Sequence, residues 1–299
     1  MKKILIIGGD SFIAGQFIRK YVSTDSITCY SRRPTGYEKE IVVKAFRDMP
    51  VEAFSGFDAV INFAAIVHRP EVKDQELYDD VNYRMACLLA QKAKQAGVGQ
   101  FVQMSTIAVF GSASRISETT PERPQTYYGS SKLKADKELM AMSDREFKAA
   151  IIRPPMAYGG GMAPGNMLRL IRLVNKHIPL PFGSARNSDF INVKNLVEFI
   201  HLAVEKEVEG VFYPTDKVPY STRNVVEEIS RQLGVHTVNL PSPSIFLKLV
   251  EKVRPDLYQK LWGDVVIDRQ LALSAIGYEP RYTLEDGIRE MVESFKQQK

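Results

Sequence analysis

Short apolar runs, many of them β-branched, alternate along the chain with longer stretches in which apolar positions recur every three or four residues. The runs KILIIG (3–8), SITCYS (26–31), EIVVKA (40–45), DAVINFA (58–64), QFVQMS (100–105) and KAAIIRP (148–154) carry few internal charges and end in small, polar or proline residues. They read as strands. The clearest helical period is YDDVNYRMACLLAQKAKQAG (78–97), with apolar residues at 81, 85, 88, 89 and 93 and a terminal glycine stop. Strands with so little interior polarity, separated by helices, predict an α/β chain whose parallel sheet is covered on both faces. Residues 1–155 are expected to form this doubly wound domain. After RPPMAYGGGMAPG (153–165) the regularity loosens. NMLRLIRLVNKH and NLVEFIHLAVEKE read as helices and GVFYPT as a strand, while YPTDKVPYS and NLPSPS break the pattern. Residues 156–299 are expected to form a smaller C-terminal region interleaved with the first, without internal repeats.

Composition narrows the function classes. A chain of 299 residues, 44% hydrophobic and 25% charged, buries a sizeable core. Its formal charge of +5 and pI near 9.0 are mildly basic, with lysines and arginines spread among acids. That favours an anionic small molecule over nucleic acid as partner. Cys29 and Cys87 match neither a disulfide framework nor a metal cluster, so a reduced, cytoplasmic setting is expected. The opening run Ile4 to Ile7 is too short for a signal-peptide core, and no apolar stretch of membrane-spanning length follows. No membrane partner is expected. His68, His177, His201 and His236 lack metal-ligand spacing, so no metal is expected, and His201 falls on an apolar-periodic helix that suits a structural role.

Two stretches carry candidate chemistry. The first strand runs into GGDSFIA, where Gly8, Ser11 and Ala14 follow the G-x-x-G-x-x-G spacing with serine and alanine for the second and third glycines. Gly8 permits an unusual backbone conformation, and small residues at 11 and 14 let the chain approach a pyrophosphate and the helix pack on its strand. The N–H groups of Ser11, Phe12 and Ile13 would then face phosphates at the positive end of the helix. A ligand-free strand-to-helix turn has the same local pattern, so the turn alone leaves both readings open. In YYGSSK, Tyr128 and Lys132 stand at i and i+4 of a helical segment and share one face. A tyrosine with its ordinary pKa of about 10 is a poor acid or base near neutrality, and a neighbouring ammonium favours the phenolate. The pair follows QFVQMSTIAVFG, where a strand ends in Ser105 and Thr106, at the sheet edge where ligands sit. The same spacing also arises by chance as a surface pair; its position carries the reading. Asn82 either orients a loop at the site or caps its helix. The charged run KLKADKE (132–138) reads, apart from Lys132, as a solvated helix face, and Trp262 as a packing or subunit contact.

Together these stretches resemble the extended short-chain dehydrogenases/reductases of the NAD(P)-dependent nucleotide-sugar epimerase/dehydratase type. The resemblance covers nearly the whole chain, through GGDSFIA, DAVINFAA (58–65), VN (81–82), MSTIAVFG (104–111), YYGSSK, RPPMAYGGG, DFINVKNL (189–196) and GYEPRYTLEDGI (277–288). It implies a Rossmann-type sheet with a smaller C-terminal substrate-binding region. It implies Thr106 and Tyr128 as catalytic residues, with Lys132 as helper. Gly8, Ser11, Phe12, Ile13, Ser31, Arg32, Arg33, Ala64 and Lys132 are then expected to bind the dinucleotide. Asn82, Asn166 and Arg186 are expected to face a UDP-linked sugar. A homodimer through helices at about 78–96 and 128–143 is implied as well. The nearest likeness is to C4 epimerases and C4 ketoreductases of surface polysaccharide synthesis. The chain departs from the family where Ser188 replaces the usual arginine before DF, and where Asn192 and Asn195 replace a frequent His and Asp.

NAD-selective folds usually end the second strand in Asp or Glu, which accepts the ribose hydroxyls. Here that strand ends CYSRRP, with Ser31 neutral and Arg32 and Arg33 suited to a 2′-phosphate, unless they merely decorate a loop. NADP(H) is therefore expected to be preferred, with NAD(H) admitted. This preference favours reduction of a 4-keto-6-deoxy sugar. The alternative is a 4-epimerase of the UDP-glucose/UDP-GlcNAc type. A non-catalytic dinucleotide sensor would keep the glycine turn without needing Thr106, Tyr128 and Lys132 together.

Overall fold

A strand that is apolar on both sides must be covered on both sides, and that requirement organises the first half of the chain. The computed structural model describes residues 1–67, 72, 74–161, 166–182, 185–237, 240–241, 243–253, 258, 262, 264–273 and 276–298. His68 lies outside the described residues. Two compact units are present: Met1–Gly111, Pro121–Arg153 and Val197–Tyr213 form the first, and Ser112–Thr120, Pro154–Leu196 and Pro214–Lys299 the second.

In the first unit, β1 (Lys3–Ile7), β2 (Ser26–Ser31), β3 (Glu40–Val42), β4 (Ala59–Asn62), β5 (Gln100–Met104), β7 (Lys148–Ile152) and β11 (Gly210–Phe212) form one sheet in the order β11-β7-β5-β4-β1-β2-β3. Every pairing is parallel. The strand order reverses between β1 and β4, the place where doubly wound sheets bind ligands. Ile4 to Ile7, Val60 and Ile61 are fully buried, which explains the unbroken apolar runs. The strand expected over 40–45 stops at Val42, because β3 is an edge with exposed Ile41 and Val42.

The helix expected over 78–97 is made of α2 (Gln75–Tyr78), a π-helical stretch Asp79–Arg84, and α3 (Met85–Gln95). The wider turn falls where Asp79 and Asn82 are drawn inside, a use of π turns that re-aims polar side chains. β11 and the segment that leads to it lie beyond a cut at 155, yet belong to the first unit because β11 adds to β7 with Gly210 opposite Ala150. Gln100 fixes that segment through hydrogen bonds from Nε2 to the carbonyls of Ala203 (3.0 Å) and Val208 (2.9 Å).

Among its described residues the second unit holds three small two-stranded sheets. β8 (Met156–Tyr158) runs parallel with β10 (Phe190–Asn192), β9 (Asn187–Ser188) antiparallel with β12 (Tyr220–Ser221), and β6 (Arg115–Ile116) parallel with β13 (Val266–Ile267). Its core gathers Tyr158, Phe190 and Trp262 with apolar residues of α5 (Asn166–Asn175), α7 (Thr222–Leu233) and the C-terminal helix Leu284–Gln297. Trp262 is a packing residue of that core, its Nε1 donating to the Pro181 carbonyl at 2.8 Å. Asn195 uses its Oδ1 for the N–H groups of Arg281 and Tyr282 and its Nδ2 for Asp216, so it serves as a buried tie for the chain's last loop.

His201 shows how the first unit holds α6 (Val193–Glu205). Its ring stacks on Tyr21 of α1 (Phe12–Tyr21) at 3.8 Å, and its Nε2 lies 2.7 Å from Asp25 Oδ2. His201→Ala is expected to lower stability by about 1–2 kcal/mol, the sum of one partly buried hydrogen bond and a ring stack. Thermal unfolding should show a fall of a few degrees, with turnover unchanged.

Candidate active site

The glycine-rich turn is set by close approach. Gly8 ends β1 with φ +83°, and a Cβ there would meet Ala64 N at 2.7 Å. Ala64 is held by Asn62, whose Oδ1 accepts its N–H at 3.1 Å while Nδ2 donates to Gln103 Oε1 at 2.8 Å. Ser11 caps α1, its hydroxyl oxygen accepting from Ala14 N at 3.2 Å. Its own N–H donates to the Gly8 carbonyl at 3.0 Å. The expectation that the N–H groups of residues 11 to 13 all face a phosphate is therefore narrowed to Phe12 and Ile13, the first helical positions, whose N–H groups have no intrahelical acceptor.

At the end of β2 the side chains are already committed. Ser31 is fully buried and donates to Glu40 Oε1 at 2.5 Å. Burial works against the Glu40 charge, but hydrogen bonds from Ser31, Thr35 and Gly36 hold its carboxyl below the usual range. Arg33 is 79% exposed and pairs with Asp10 of the glycine-rich turn, Nε to Oδ2 at 3.1 Å. Arg32 is exposed. Glu40 escaped the sequence reading because it reaches Ser31 only through the pairing of β2 with β3.

The Thr106, Tyr128 and Lys132 side chains are gathered by a second close approach. Thr106 follows β5 and starts a short helical turn, Ile107–Phe110, with its Oγ1 accepting from Ala108 N at 3.1 Å. The helix α4 (Tyr127–Ala141) is capped by Thr126 and touches that turn so closely that a Cβ on Gly129 would lie 2.6 Å from the Ala108 carbonyl oxygen. Glycine next to Tyr128 thus brings the first turn of α4 against the Thr106 turn, and the Thr106 side chain favours the ionised phenol. One turn on, Lys132 is buried and its Nζ donates to the Met104 carbonyl at 2.8 Å.

Electrostatics correct one expectation. Burial pushes the Tyr128 phenol up to about 12, the Asp136 charge adds to this, and the Thr106 hydrogen bond opposes it. Burial pulls the Lys132 ammonium down to about 8, opposed by Asp136. The Lys132 ammonium donates to the Met104 carbonyl, and burial is the largest influence on both groups. KLKADKE is likewise not a wholly solvated face, since Asp136 within it is buried.

The residues assigned to substrate divide. Asn82 is fully buried and spends its amide on Ile66 N (2.8 Å), Ile66 O (3.0 Å) and Ser131 Oγ (3.1 Å). It offers a substrate no surface; it ties the loop after β4 to α4. Asn166 and Arg186 belong to the second unit. Asn166 lines a recess with Met156, Met167, Phe190 and Thr222. Arg186 is 71% exposed and bound to Asp264 at 2.9 Å. Among the described residues no group of three His, Cys, Asp or Glu is arranged to hold a metal.

The Gly8 geometry gives a direct test. Gly8→Ala forces a side chain into a left-handed position against Ala64, at a strain cost of about 1–3 kcal/mol. A lower melting temperature and loss of dinucleotide binding by titration are the expected outcomes.

Comparisons with known proteins place the chain in a family. A family model described as the NAD dependent epimerase/dehydratase family matches residues 4–213. A Vibrio cholerae protein called UDP-glucose 4-epimerase is 29% identical over 99% of this chain and 96% of its own. An Escherichia coli O157:H7 protein, N-acetyl-alpha-D-glucosaminyl-diphospho-ditrans,octacis-undecaprenol 4-epimerase, is 26% identical over 80% of this chain and 76% of its own. The solved structure of MoeE5 in complex with UDP-glucose and NAD superposes with a TM-score of 0.79 at 23% identity, covering 99% of both chains, and shows the shared fold. With the family model spanning the whole of the parallel sheet, the chain is an enzyme of the NAD dependent epimerase/dehydratase family.

Proposed function

We propose that the protein is a C4 epimerase of a UDP-linked hexose that keeps its dinucleotide through the reaction cycle. The observation that carries this is the Vibrio cholerae relative, which bears the epimerase name and aligns with 99% of the chain. The Escherichia coli relative is also a 4-epimerase by name. Reduction of a 4-keto-6-deoxy sugar, which the sequence alone put first, has less support, and the epimerase alternative takes its place. The sensor reading falls with membership of an enzyme family.

The residues fit a dinucleotide. Gly8 leaves a backbone-lined turn beside Ala64 that any side chain would fill, and the N–H groups of Phe12 and Ile13 open α1 toward a pyrophosphate. When bound, the dinucleotide supplies the hydride acceptor at C4 and a positive charge near the phenol. Tyr128 takes the proton of the C4 hydroxyl as the C4 hydrogen leaves as hydride, and returns it when hydride comes back to the opposite face. Thr106 hydrogen-bonds the same oxygen. Lys132 holds positive charge beneath the site and binds the nicotinamide ribose.

The cofactor reading also moves, to NAD(H). Arg33 is matched by Asp10 and the Ser31 hydroxyl by Glu40, so a 2′-phosphate at the end of β2 would meet two carboxylates. MoeE5 was solved with NAD. The working form is taken to be a homodimer in the cytoplasm; among the described residues no helix is long and apolar enough to cross a membrane.

Two measurements test these statements. Protein incubated with UDP-glucose or UDP-GlcNAc without added cofactor should form the C4 epimer, and Tyr128→Phe should lower that rate by about 10²–10⁴-fold while leaving dinucleotide affinity intact. Oxidation of NADPH with a UDP-4-keto-6-deoxy sugar, and no epimer in the first assay, would restore the reductase. In titrations NADH should bind more tightly than NADPH, and Arg32→Ala and Arg33→Ala should change NADH affinity by no more than about three-fold, the scale of exposed ion pairs. Tighter NADPH binding lost in those variants reverses the cofactor reading.

A further inference from the structure

Asp136 stands one turn beyond Lys132 and two beyond Tyr128, so 128, 132 and 136 mark one face of α4. It is 1% exposed. One carboxylate oxygen, Oδ2, accepts from Ser105 Oγ at 2.7 Å and from Arg153 Nε at 2.8 Å. The other, Oδ1, is buried without a hydrogen-bond partner among the described residues. Arg153 is shared onward, its Nη1 reaching Glu122 Oε1 at 2.7 Å and the Tyr213 hydroxyl at 3.2 Å. A buried carboxylate that served only to neutralise Arg153 would be well placed to engage both oxygens with it, as arginine forks do. Here one oxygen is left without a partner, on a residue one helical turn from Lys132 and two from Tyr128.

We propose that Asp136 is a positioning residue for the reaction, whose negative charge, anchored by Ser105 and Arg153 on the helix that carries Tyr128 and Lys132, sets the pH range over which that pair exchanges its proton. The groups facing it are Lys132 and Tyr128 from α4, Ser105 from the end of β5 and Arg153 from the end of β7, with Glu122 and Tyr213 behind Arg153. Both titrations respond to it in the same sense, since a nearby anion raises the proton affinity of a phenol and of an ammonium alike. Ser105 and Arg153 hold the anion in place, although burial raises its own proton affinity. The role in turnover rests on Tyr128 being the acid/base of the reading above, whereas the effect on its titration does not.

The test is the ionisation of Tyr128 itself, followed by NMR of protein labelled with ¹³C at the tyrosine Cζ and assigned by the resonance missing in Tyr128→Phe. In Asp136→Asn the Tyr128 titration is expected to begin about one pH unit lower than in the wild type, the lower end of the effect of one neighbouring charge. Both limbs of the kcat/KM profile should move down with it. Asp136→Glu, which keeps the charge, should titrate as the wild type. Removing one partner of a buried pair risks unfolding, so the neutral pair Asp136→Asn with Arg153→Met is the second variant, leaving no uncompensated buried charge. It should show a smaller downward shift, because the Arg153 cation, whose loss acts in the opposite sense, goes with the anion. A purely structural role would lower stability or the rate plateau without moving either titration. An unmoved Tyr128 titration in the Asn variant, or in the double variant if the single one does not fold, overturns the proposal. Full turnover by Tyr128→Phe would instead remove the catalytic assignment of Tyr128 and leave the titration result standing.

Discussion

A lysine ammonium buried beneath a parallel sheet is the constraint to which the rest of the first unit answers. Lys132 is held between α4 and the end of β5 by a single carbonyl, that of Met104. Burial pulls its proton affinity down, and a carboxylate one helical turn away opposes that fall. That carboxylate is itself buried and needs Ser105 and Arg153, and Arg153 needs Glu122. One charge in the core thus recruits three more, each from a different segment. The chain ties Glu122 and Arg153 into the first unit although 112–120, between Gly111 and Pro121, goes with the second.

Two glycines set the distances on which this chemistry depends. Gly8 admits the backbone of Ala64 beside the end of β1, and Gly129 admits the Ala108 carbonyl against the first turn of α4. In both places a methyl group would overlap backbone atoms, which cannot move aside as a flexible side chain can. The first contact shapes a turn suited to a pyrophosphate; the second brings the first turn of α4 against the Thr106 turn. Polar residues inside the sheet and helix layers support these turns: Asn62 and Gln103 brace Ala64, and Asn82 braces Ile66.

The two sides of the dinucleotide turn are electrically different. Where the chain leaves β2, two carboxylates, Asp10 and Glu40, answer Arg33 and Ser31. Where it leaves β5, Lys132 is buried and Tyr128 partly so, and the proton affinities of both are displaced from ordinary values. Exposed pairs of the first kind are screened by water and contribute little energy, whereas in the second kind burial displaces the proton affinities themselves.

The sequence by itself determined the parallel sheet, the glycine turn and the helical spacing of Tyr128 and Lys132, each resting on periodicity or spacing within a few residues, which the local chain carries; Thr106 joined that pair through the family resemblance. Periodicity also placed α5, α6 and β2 close to their observed ends. What only the tertiary structure decided are the pairings between residues distant along the chain. Asp136 inside KLKADKE looks like any solvated helix charge until Arg153, from the next strand, is folded against it. Ser31, Arg32 and Arg33 look like a phosphate site until Glu40 and Asp10 arrive from β3 and the glycine turn. Asn82 looks able to meet a ligand until Ile66 and Ser131 take its amide. A charge or an amide carries no local mark of burial, because its environment is built by segments that only folding brings together.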